Sequence, residues 1–375
     1  MLSFWEKSSF LHYNYLIVGG GIVGFSTAIE LKKKNPKASV LVVEAGLLPT
    51  GASTKNAGFA CVGSLSEMLA DLENHSEEEL IALSKLRWEG LNLLRKNLGD
   101  KNMDYQASGS HELLFEHELP LLDQIPKLNQ ILAPNFGENT FSEKSLKEAN
   151  FGFSSDVKAL VFNQVEGSLH TGKMMKNLIL KAQSLGVEYK TLAKVNRIEE
   201  DSSSVHVFIE GQEFSLTADN VVLCTNAFTK TFLPDLDLEP GRGQVLVTEK
   251  IPNLKLKGIY HFDSGYYYFR EIEGRVLFGG GRNMDFEAEK TNDFALNSKI
   301  QQDLETKLKT LICPKHEVKI AMRWTGIMAF GRNKLPFVER LSQGLWAGVR
   351  LGGMGVAIGS KLGEILSSKL LEEGN

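Results

Sequence analysis

Three closely spaced glycines near the start of the chain restrict the fold more than any other feature. They follow the apolar run Tyr15-Leu16-Ile17-Val18, and a second apolar run, Val40-Leu41-Val42-Val43, ends at an acidic residue. The glycines, the helical positions between them and the acidic turn are Gly19, Gly21, Ile22, Val23, Gly24, Glu44 and Ala45. A strand, a glycine turn, a helix and a second strand ending in an acid are typical of a dinucleotide-binding unit.

Each glycine has a physical role in such a unit. Gly19 allows the tight turn, Gly21 lets backbone approach a pyrophosphate, and Gly24 lets the helix pack against the strand. Free amide groups and the positive end of the helix then meet the phosphate charge. Glu44 suits the free hydroxyls of an adenosine ribose and repels a 2′-phosphate. NADP is therefore disfavoured, while NAD and FAD both remain open at this point.

Composition excludes several other classes of protein. The chain has 375 residues, 42% apolar and 23% charged, which is typical of a soluble protein with two domains. A net charge of -4 and the lack of a basic cluster argue against nucleic-acid binding. No apolar stretch is long enough to span a bilayer. Cys61, Cys224 and Cys313 show no metal-binding spacing, so we expect no metal site, a reduced compartment and a cytoplasmic protein.

The pattern of elements predicts a discontinuous nucleotide-binding domain. A helical stripe closed by Gly186 and a last helix ending at Leu371 resemble the first unit, whereas Gly243 to Gly281 is rich in alternating strands. A further helix is predicted over Phe294 to Leu311. We expect an α/β (α+β) protein with a first domain from residues 1–100, 151–240 and 335–375, and a second domain with a mixed or antiparallel sheet from residues 101–150 and 241–334.

With these elements placed, the chain resembles the D-amino-acid-oxidase-like (DAO) family of FAD-dependent oxidoreductases. Within that family it is most similar to bacterial oxidases of the gamma-glutamylputrescine and glycine or sarcosine type, over nearly its whole length. Four motifs carry the resemblance: the first glycine unit with Glu44, Gly51-Ala52-Ser53-Thr54-Lys55-Asn56-Ala57-Gly58, Pro240-Gly241-Arg242-Gly243-Gln244, and Gly352-Gly353-Met354-Gly355-Val356-Ala357. The resemblance implies a Rossmann-type FAD-binding domain of the glutathione-reductase-like kind, and it favours FAD over NAD.

The family also implies where the cofactor contacts the chain. The loop 51–58 would pass along the pyrophosphate to the flavin, and the helix after Gly352 would direct its positive end at the flavin pyrimidine. Further contacts are expected at Val195, Thr225, Asn226, Ala227, Gly243, Gln244, Gly326 and Arg350. The stretch 323–328 lacks cysteine and the loop 51–58 lacks histidine, so we expect non-covalent FAD.

The substrate side is predicted from strand alternation. Along residues 266–272, Tyr266, Tyr268 and Arg270 share one face, which provides an aromatic wall and a guanidinium suited to a carboxylate. The alternative is a half-buried sheet with Arg270 at its edge. The family resemblance adds Trp324 as a pocket wall and Arg350 as a substrate or flavin contact.

The expected activity is oxidation of the C–N bond of a small amine or amino acid, with oxygen or another electron acceptor. In the family the flavin accepts a hydride and the imine product hydrolyses. Some sarcosine oxidases place a lysine above the flavin, but Arg275-Val276-Leu277-Phe278 offers none, so oxidase and dehydrogenase both stay open. A 2-hydroxy-acid dehydrogenase of the same fold and a catalytically silent flavin-binding protein are further alternatives. An NAD-dependent dehydrogenase ranks lower, because the C-terminal glycine turn would then have no purpose.

Overall fold

The computed structural model describes residues 1–146 and 151–373, which form two large sheets with helices packed on both. The segment 101–150 that the sequence assigns to the second domain therefore lies partly outside the described residues. Elements are numbered in chain order. The helices are α1 (Phe4–Phe10), α2 (Ile22–Lys34), α3 (Ala52–Lys55), α4 (Leu65–Leu72), α5 (Glu77–Leu98), α6 (Ile125–Phe136), α7 (Thr171–Ser184), α8 (Ser298–Lys307) and α9 (Gly355–Glu373).

The first sheet is parallel at its centre, as the dinucleotide-binding pattern predicts. Its strands are, in spatial order, β17 (Phe337–Arg340), β18 (Leu345–Val349), β11 (Ser215–Leu223), β1 (His12–Val18), β2 (Val40–Val43) and β8 (Glu188–Lys190). β1 lies parallel to β11 and β2, and β11 lies parallel to β18. β9 (Val195–Glu200) and β10 (Val205–Ile209) form an antiparallel ribbon on the start of β11. The carboxyl ends of the central strands therefore meet at one edge, where α/β sheets bind ligands.

The second sheet is almost wholly antiparallel. Its order is β16 (Ile320–Phe330), β12 (Glu239–Thr248), β15 (Arg275–Gly280), β14 (Tyr267–Ile272), β13 (Ile259–Phe262), β4 (Ser110–Leu114), β6 (Ala159–Asn163) and β5 (Phe141–Lys144). Only β13 and β4 pair in parallel among these described strands. β6 lies within the range 151–240 expected in the cofactor domain, yet it pairs with β4 and β5. β3 (Phe59–Ala60) and β7 (Gly167–Ser168) form a small separate pair.

Close packing of α2 against α9 sets two helix N-termini side by side. A Cβ on Gly359 would lie 2.6 Å from the Ile22 side chain, and one on Gly363 would lie 2.6 Å from the Thr27 amide nitrogen. Glycine therefore permits backbone contact between the two helices at these positions. Because the contacts advance in the same direction along both helices, α2 and α9 run parallel. Their positive ends consequently lie at the same edge of the first sheet.

Several sequence-based boundaries differ from the structure. The helix expected over 294–311 begins at Ser298, because Asn297 caps its N-terminus, and a π-type turn over Leu308–Ile312 follows α8. The sequence analysis assigned no element to α6 or to β16. No helix of the described residues is long and apolar enough to cross a membrane.

Candidate functional site

The first glycine turn has the geometry that its spacing predicts. Gly19 follows β1 with a φ of +113°, and a Cβ there would lie 2.7 Å from the Cys224 carbonyl oxygen. Gly21 caps the N-terminus of α2. A Cβ on Gly24 would lie 2.1 Å from the Gly19 carbonyl oxygen, so only glycine lets the helix come this close to the turn. In the first turn of α2 the Ile22 amide donates to Ser53 Oγ, whereas the amides of Val23 and Gly24 have no acceptor within the helix and can meet an anion.

Glu44 follows β2 and holds two neighbouring turns together. Its Oε2 accepts a hydrogen bond from the Gly20 amide at 3.1 Å, and its Oε1 accepts one from the Gly46 amide at 3.1 Å. The carboxylate is thus fixed beside the glycine turn, as a ribose-binding acid must be.

The loop 51–58 is folded by its own polar side chains. Ser53 Oγ accepts a hydrogen bond from the Ile22 amide at 3.0 Å, which ties the loop to the start of α2. Asn56 donates to the Ser53 carbonyl at 2.9 Å and accepts from the Gly58 amide at 2.9 Å. Thr171, at the start of α7, donates to Asn56 Oδ1 at 2.8 Å. These hydrogen bonds therefore hold the loop 51–58 in one defined conformation against α2 and α7.

One continuous cavity of about 800 Å³ joins the glycine turns of both ends of the chain. It also reaches the middle strands of the second sheet. Residues expected to contact the cofactor that line it are Gly19, Gly21, Ile22, Val23, Glu44, Ala45, Gly51, Ala52, Ser53, Lys55, Asn56, Ala57, Val195, Thr225, Asn226, Ala227, Gly243, Gly326, Gly352, Gly353, Met354, Gly355 and Val356. Their individual contacts with the cofactor stay predictions.

Comparison with known proteins identifies the family. The model of the FAD dependent oxidoreductase family, DAO, matches residues 14–369. The chain belongs to this family. It is 24% identical to the glycine oxidase of Bacillus subtilis over 346 residues, which are 88% of this chain and 84% of that protein. The structure of glycine oxidase from Geobacillus kaustophilus matches with a TM-score of 0.77 and 20% identity, covering 96% of this chain and 95% of the other. L-proline dehydrogenase from P. horikoshii matches with a TM-score of 0.77 and 16% identity, covering 97% and 94%.

The DAO-family protein is therefore an FAD-dependent oxidoreductase, and its cavity fits that cofactor. The N-termini of α2 and α9 both open into it, so their amide groups would be directed to the pyrophosphate and to the flavin pyrimidine of a bound FAD. A Cβ added to Gly51 or Gly352 would meet nothing within 4 Å, which leaves room for a ligand against the backbone. These residues would hold FAD at both of its ends.

Gln244 lies behind the cavity wall, contrary to its expected place. It is fully buried, donates to Glu289 Oε2 at 3.0 Å and accepts from Gln301 at 3.1 Å. Arg242 reaches the same carboxylate with bonds of 2.9 and 2.8 Å. Because side chains alternate along β12, Gly243 between them faces the cavity. The motif 240–244 thus presents the backbone of Gly243 to the cavity, while the side chains of Arg242 and Gln244 bind the buried Glu289.

Arg270 does not line the cavity with Tyr268. Arg270 is 6% exposed, and its guanidinium donates to the carbonyl oxygens of Leu169 at 2.8 Å and Gly58 at 3.1 Å. A third carbonyl, that of Ala57, lies at 3.5 Å. The expectation that its guanidinium faces a substrate is not met, because it is surrounded by backbone carbonyls of the loop 51–58 and of the segment before α7. We call the loop 51–58 the flavin loop below. The geometry favours a role in positioning that loop.

Trp324 and Arg350 also lie outside the cavity lining. Trp324 donates its indole N–H to the Lys55 carbonyl at 3.0 Å and so supports the loop 51–58 from behind. Arg350 has a left-handed backbone with φ of +66°. Its side chain binds the Asp237 carboxylate at 2.8 Å and the Leu335 carbonyl at 3.2 Å. That conformation turns the side chain away from the cavity.

The end of the cavity beyond the flavin motifs contains residues that sequence reasoning missed. Tyr266 and Tyr268 line it as expected, together with Arg282, His261 and Cys61. The Phe59 ring lies 5.4 Å from the Tyr268 ring and 5.3 Å from the His261 ring, edge to face in both cases. The signal for Arg282 was its place directly after the glycines that end β15, Gly279 to Gly281. No local signal marks His261 or Cys61.

Burial sets the ionisation of these groups. Desolvation raises the pKa of the Tyr268 phenol to about 12, so the ring stays neutral and able to donate a hydrogen bond. Desolvation likewise lowers the pKa of Arg282, although Tyr266 and Glu289 oppose this. Burial would lower the pKa of His261, but the Glu166, Glu112 and Glu67 carboxylates outweigh it and raise that pKa above its usual value.

Proposed function

We propose that this DAO-family enzyme oxidises the C–N bond of a small amino acid. FAD supplies the redox chemistry by accepting a hydride from the carbon that bears the amine. The resulting imine hydrolyses to an oxo acid and releases ammonia or an amine. The protein's part is to bind the substrate carboxylate, to orient the amine-bearing carbon and to exclude water.

The observation that carries the proposal is the environment of Arg282. Its guanidinium lies over the Phe330 ring, 4.0 Å from the centroid, and 4.9 Å from the Phe286 ring centroid. No hydrogen bond or ion pair joins it to another described residue. A partly buried guanidinium stacked between two rings, with its donors free, is suited to a planar carboxylate.

The other cations of the cavity differ from Arg282 in their partners or place. Lys334 is neutralised by Asp71 at 2.6 Å and Glu67 at 3.2 Å. Lys194 pairs with Glu210 at 2.8 Å. Lys55 lies over the Phe294 ring at 5.0 Å, in the loop assigned to the flavin. Arg282 is therefore the cation best placed to take a substrate's charge.

The walls beside Arg282 also fit a small amino acid. Tyr266, Tyr268 and Phe330 supply an aromatic lining, which is apolar on its faces and carries two phenol groups. Known relatives support the reaction class: glycine oxidase and L-proline dehydrogenase are the names of proteins with this fold. Which amino acid binds is a matter for the experiment.

The test is an anaerobic titration of the FAD-loaded enzyme with amino acids, N-methyl amino acids, simple amines and 2-hydroxy acids. Bleaching of the flavin by an amino acid supports the proposal. Bleaching by a 2-hydroxy acid instead would assign the alternative activity, and no bleaching by any compound would favour a silent flavin-binding protein. Acid precipitation should release the FAD if it is bound non-covalently.

Arg282→Met separates carboxylate binding from the rest of the site. We expect it to raise the KM for the amino-acid substrate at least tenfold, since a charge-assisted bidentate contact is lost, while FAD content is unchanged. Arg332→Met is the matched control, because the Arg332 side chain is 91% exposed and lies outside the cavity lining. Equal KM values for both variants would contradict the role of Arg282. Readmitting air to the reduced enzyme then distinguishes an oxidase from a dehydrogenase by the rate of reoxidation.

A further inference from the structure

Three remote segments bring a thiol, a carboxylate and an imidazole together at one wall of the cavity. Cys61 follows β3, Glu166 directly precedes β7, and His261 lies on β13. Their ligand atoms, Sγ, a carboxylate oxygen and a ring nitrogen, all lie within 4.8 Å of one another. The proposed oxidation uses none of these three groups.

Two of the three distances match the edges of a zinc coordination tetrahedron, and the third, between Cys61 Sγ and a Glu166 carboxylate oxygen, is within 4.8 Å. Cys61 Sγ lies 3.6 Å from His261 Nε2, and Glu166 Oε2 lies 3.6 Å from the same nitrogen. With Zn–S of about 2.3 Å and Zn–N or Zn–O of about 2.0–2.1 Å, tetrahedral angles give S–N edges of about 3.5 Å and N–O edges of about 3.4 Å. The two edges that meet at His261 Nε2 are thus within a few tenths of an ångström of those of a zinc site.

Glu166 supplies a second, independent observation. Its side chain is fully buried, and its Oε1 accepts hydrogen bonds from the Val62 amide at 2.7 Å and the Gly63 amide at 2.8 Å. Its Oε2, by contrast, has no hydrogen-bond partner among the described residues, since 3.6 Å to His261 exceeds the usual range. Buried carboxylate oxygens are normally satisfied, so this one, aimed at a thiol and an imidazole, lacks a ligand.

The surrounding charges leave room for a cation. Arg87 is buried nearby, but it donates to the Val62 carbonyl and lies 3.8 Å from the Glu67 carboxylate, which balances its charge. Glu67 also pairs with Lys334, and Glu112 is hydrogen-bonded to Ser66. Neither Arg87 nor Lys334 therefore pairs with the Glu166 carboxylate.

We propose that Cys61, Glu166 and His261 form a binding site for one Zn²⁺ ion. A thiolate, an imidazole and a carboxylate are the ligand types that zinc takes, and three protein ligands leave the fourth position open. Cys61 and His261 line the cavity, so an ion can enter from it and presents that fourth position to it. The position would take water or an anionic group of a bound molecule. On binding, the Cys61 thiol releases its proton to solvent and becomes the thiolate ligand, and His261 binds as the neutral imidazole, releasing to solvent any proton that its ligating nitrogen carries.

The test measures zinc bound to the FAD-loaded enzyme. The protein is stripped with a chelator, dialysed against Zn²⁺ and analysed for metal by mass spectrometry; we expect one ion per chain. Cys61→Ala, His261→Asn and Glu166→Gln should each weaken zinc binding at least about tenfold. Cys313→Ala is the matched control, because Cys313 is a buried cysteine in the core of the second sheet. This variant should bind zinc as the unaltered protein does.

Either of two results from the metal analysis would overturn the proposal: no stoichiometric zinc on the unaltered enzyme, or zinc that persists equally in the three variants. Retained FAD absorbance shows which variants have folded. X-ray absorption at the zinc edge of the unaltered enzyme needs no variant. It should show one sulfur at about 2.3 Å with nitrogen or oxygen at about 2.0 Å. A first shell without sulfur would exclude Cys61 and refute the site.

Discussion

Arg270 allows a sharp test of whether a buried guanidinium serves the substrate or the protein. Its side chain reaches the carbonyl oxygens of Gly58 and Leu169, and so links the flavin loop to the segment that precedes α7. Arg270→Met keeps the length of the side chain but removes every donor. If the guanidinium positions the loop, the variant should lose affinity for FAD. If it binds the substrate, the variant should lose affinity for the substrate.

The expected magnitude follows from two opposing terms. Two charge-assisted hydrogen bonds of 2.8 and 3.1 Å are together worth about 3–6 kcal/mol. Burial lowers the pKa of Arg270 to about 10, despite Glu271 and Asp104, and this corresponds to a cost of about 3 kcal/mol. The net contribution is therefore about 0–3 kcal/mol. We expect the free energy of unfolding to fall by up to that amount, and the Kd for FAD to rise about tenfold, which is about 1.4 kcal/mol.

The assay pairs FAD binding, followed by flavin fluorescence, with steady-state kinetics at saturating FAD. Arg275→Met is the control, because Arg275 also donates to a backbone carbonyl, that of Thr248 at 2.9 Å, but lies outside the cavity lining. We expect weaker FAD binding for Arg270→Met alone and an unchanged KM for the substrate in both variants. A tenfold rise in KM with FAD binding intact would refute this reasoning and restore Arg270 to the substrate site.

Three further predictions concern residues that pack behind the cavity lining. Glu289→Gln should lower the free energy of unfolding by about 3–5 kcal/mol in denaturant titrations, because it leaves the buried Arg242 without a counter-charge. Burial alone would raise the pKa of Glu289, but the hydrogen bonds from Arg242, Gln244 and Asn297 outweigh burial and hold that pKa below 4.5. The ionised Glu289 carboxylate should therefore stabilise the fold fully above pH 4.5, and this stabilisation should be lost as the pH falls through the lowered pKa. The Glu289→Gln variant should not show this loss of stability at low pH. Gly279→Ala should raise the KM with FAD retained, since its Cβ would lie 2.7 Å from the Tyr268 ring; an unchanged KM would contradict the place of Tyr268. Gly24→Ala should cost about 1–3 kcal/mol in thermal unfolding and reduce bound FAD, because backbone at 2.1 Å cannot yield as a side chain can.

Much of the first sheet could be predicted from the sequence because its signals are local. The glycine turn, the start of α2 and the strands at Val18 and Val43 all lie within one short stretch, where spacing is sufficient. α6 is not predicted from the sequence because Pro126 and Pro134 interrupt its helical pattern; Pro126 is accepted in the first turn of the helix. β16 was missed because polar residues interrupt its apolar pattern, and its pairing with β12 over nearly its full length stabilises it instead.

The substrate end of the cavity was harder to predict because strand geometry decides it. Alternation correctly relates Tyr268 to Arg270, but two residues along a strand cover about 6–7 Å. Tyr268 pairs with His261 and Gly279, next to the cavity, whereas Arg270 pairs with Ile259 and Leu277 and lies under the flavin loop. No pattern in one strand shows where a loop from another part of the chain covers it.

The two ends of the cavity therefore differ in how they are encoded. The cofactor end is built mainly from backbone at glycine turns and helix N-termini, so its motifs are contiguous and can be recognised in sequence. The substrate end is built from single side chains, Arg282 after β15, His261 on β13 and Cys61 after β3, which only the tertiary fold brings together. A relative that shares the glycine motifs can consequently bind the same cofactor while differing at every one of these side chains. Substrate class should follow the free guanidinium of Arg282 and its aromatic neighbours, and exchanging those residues should change the substrate without loss of FAD.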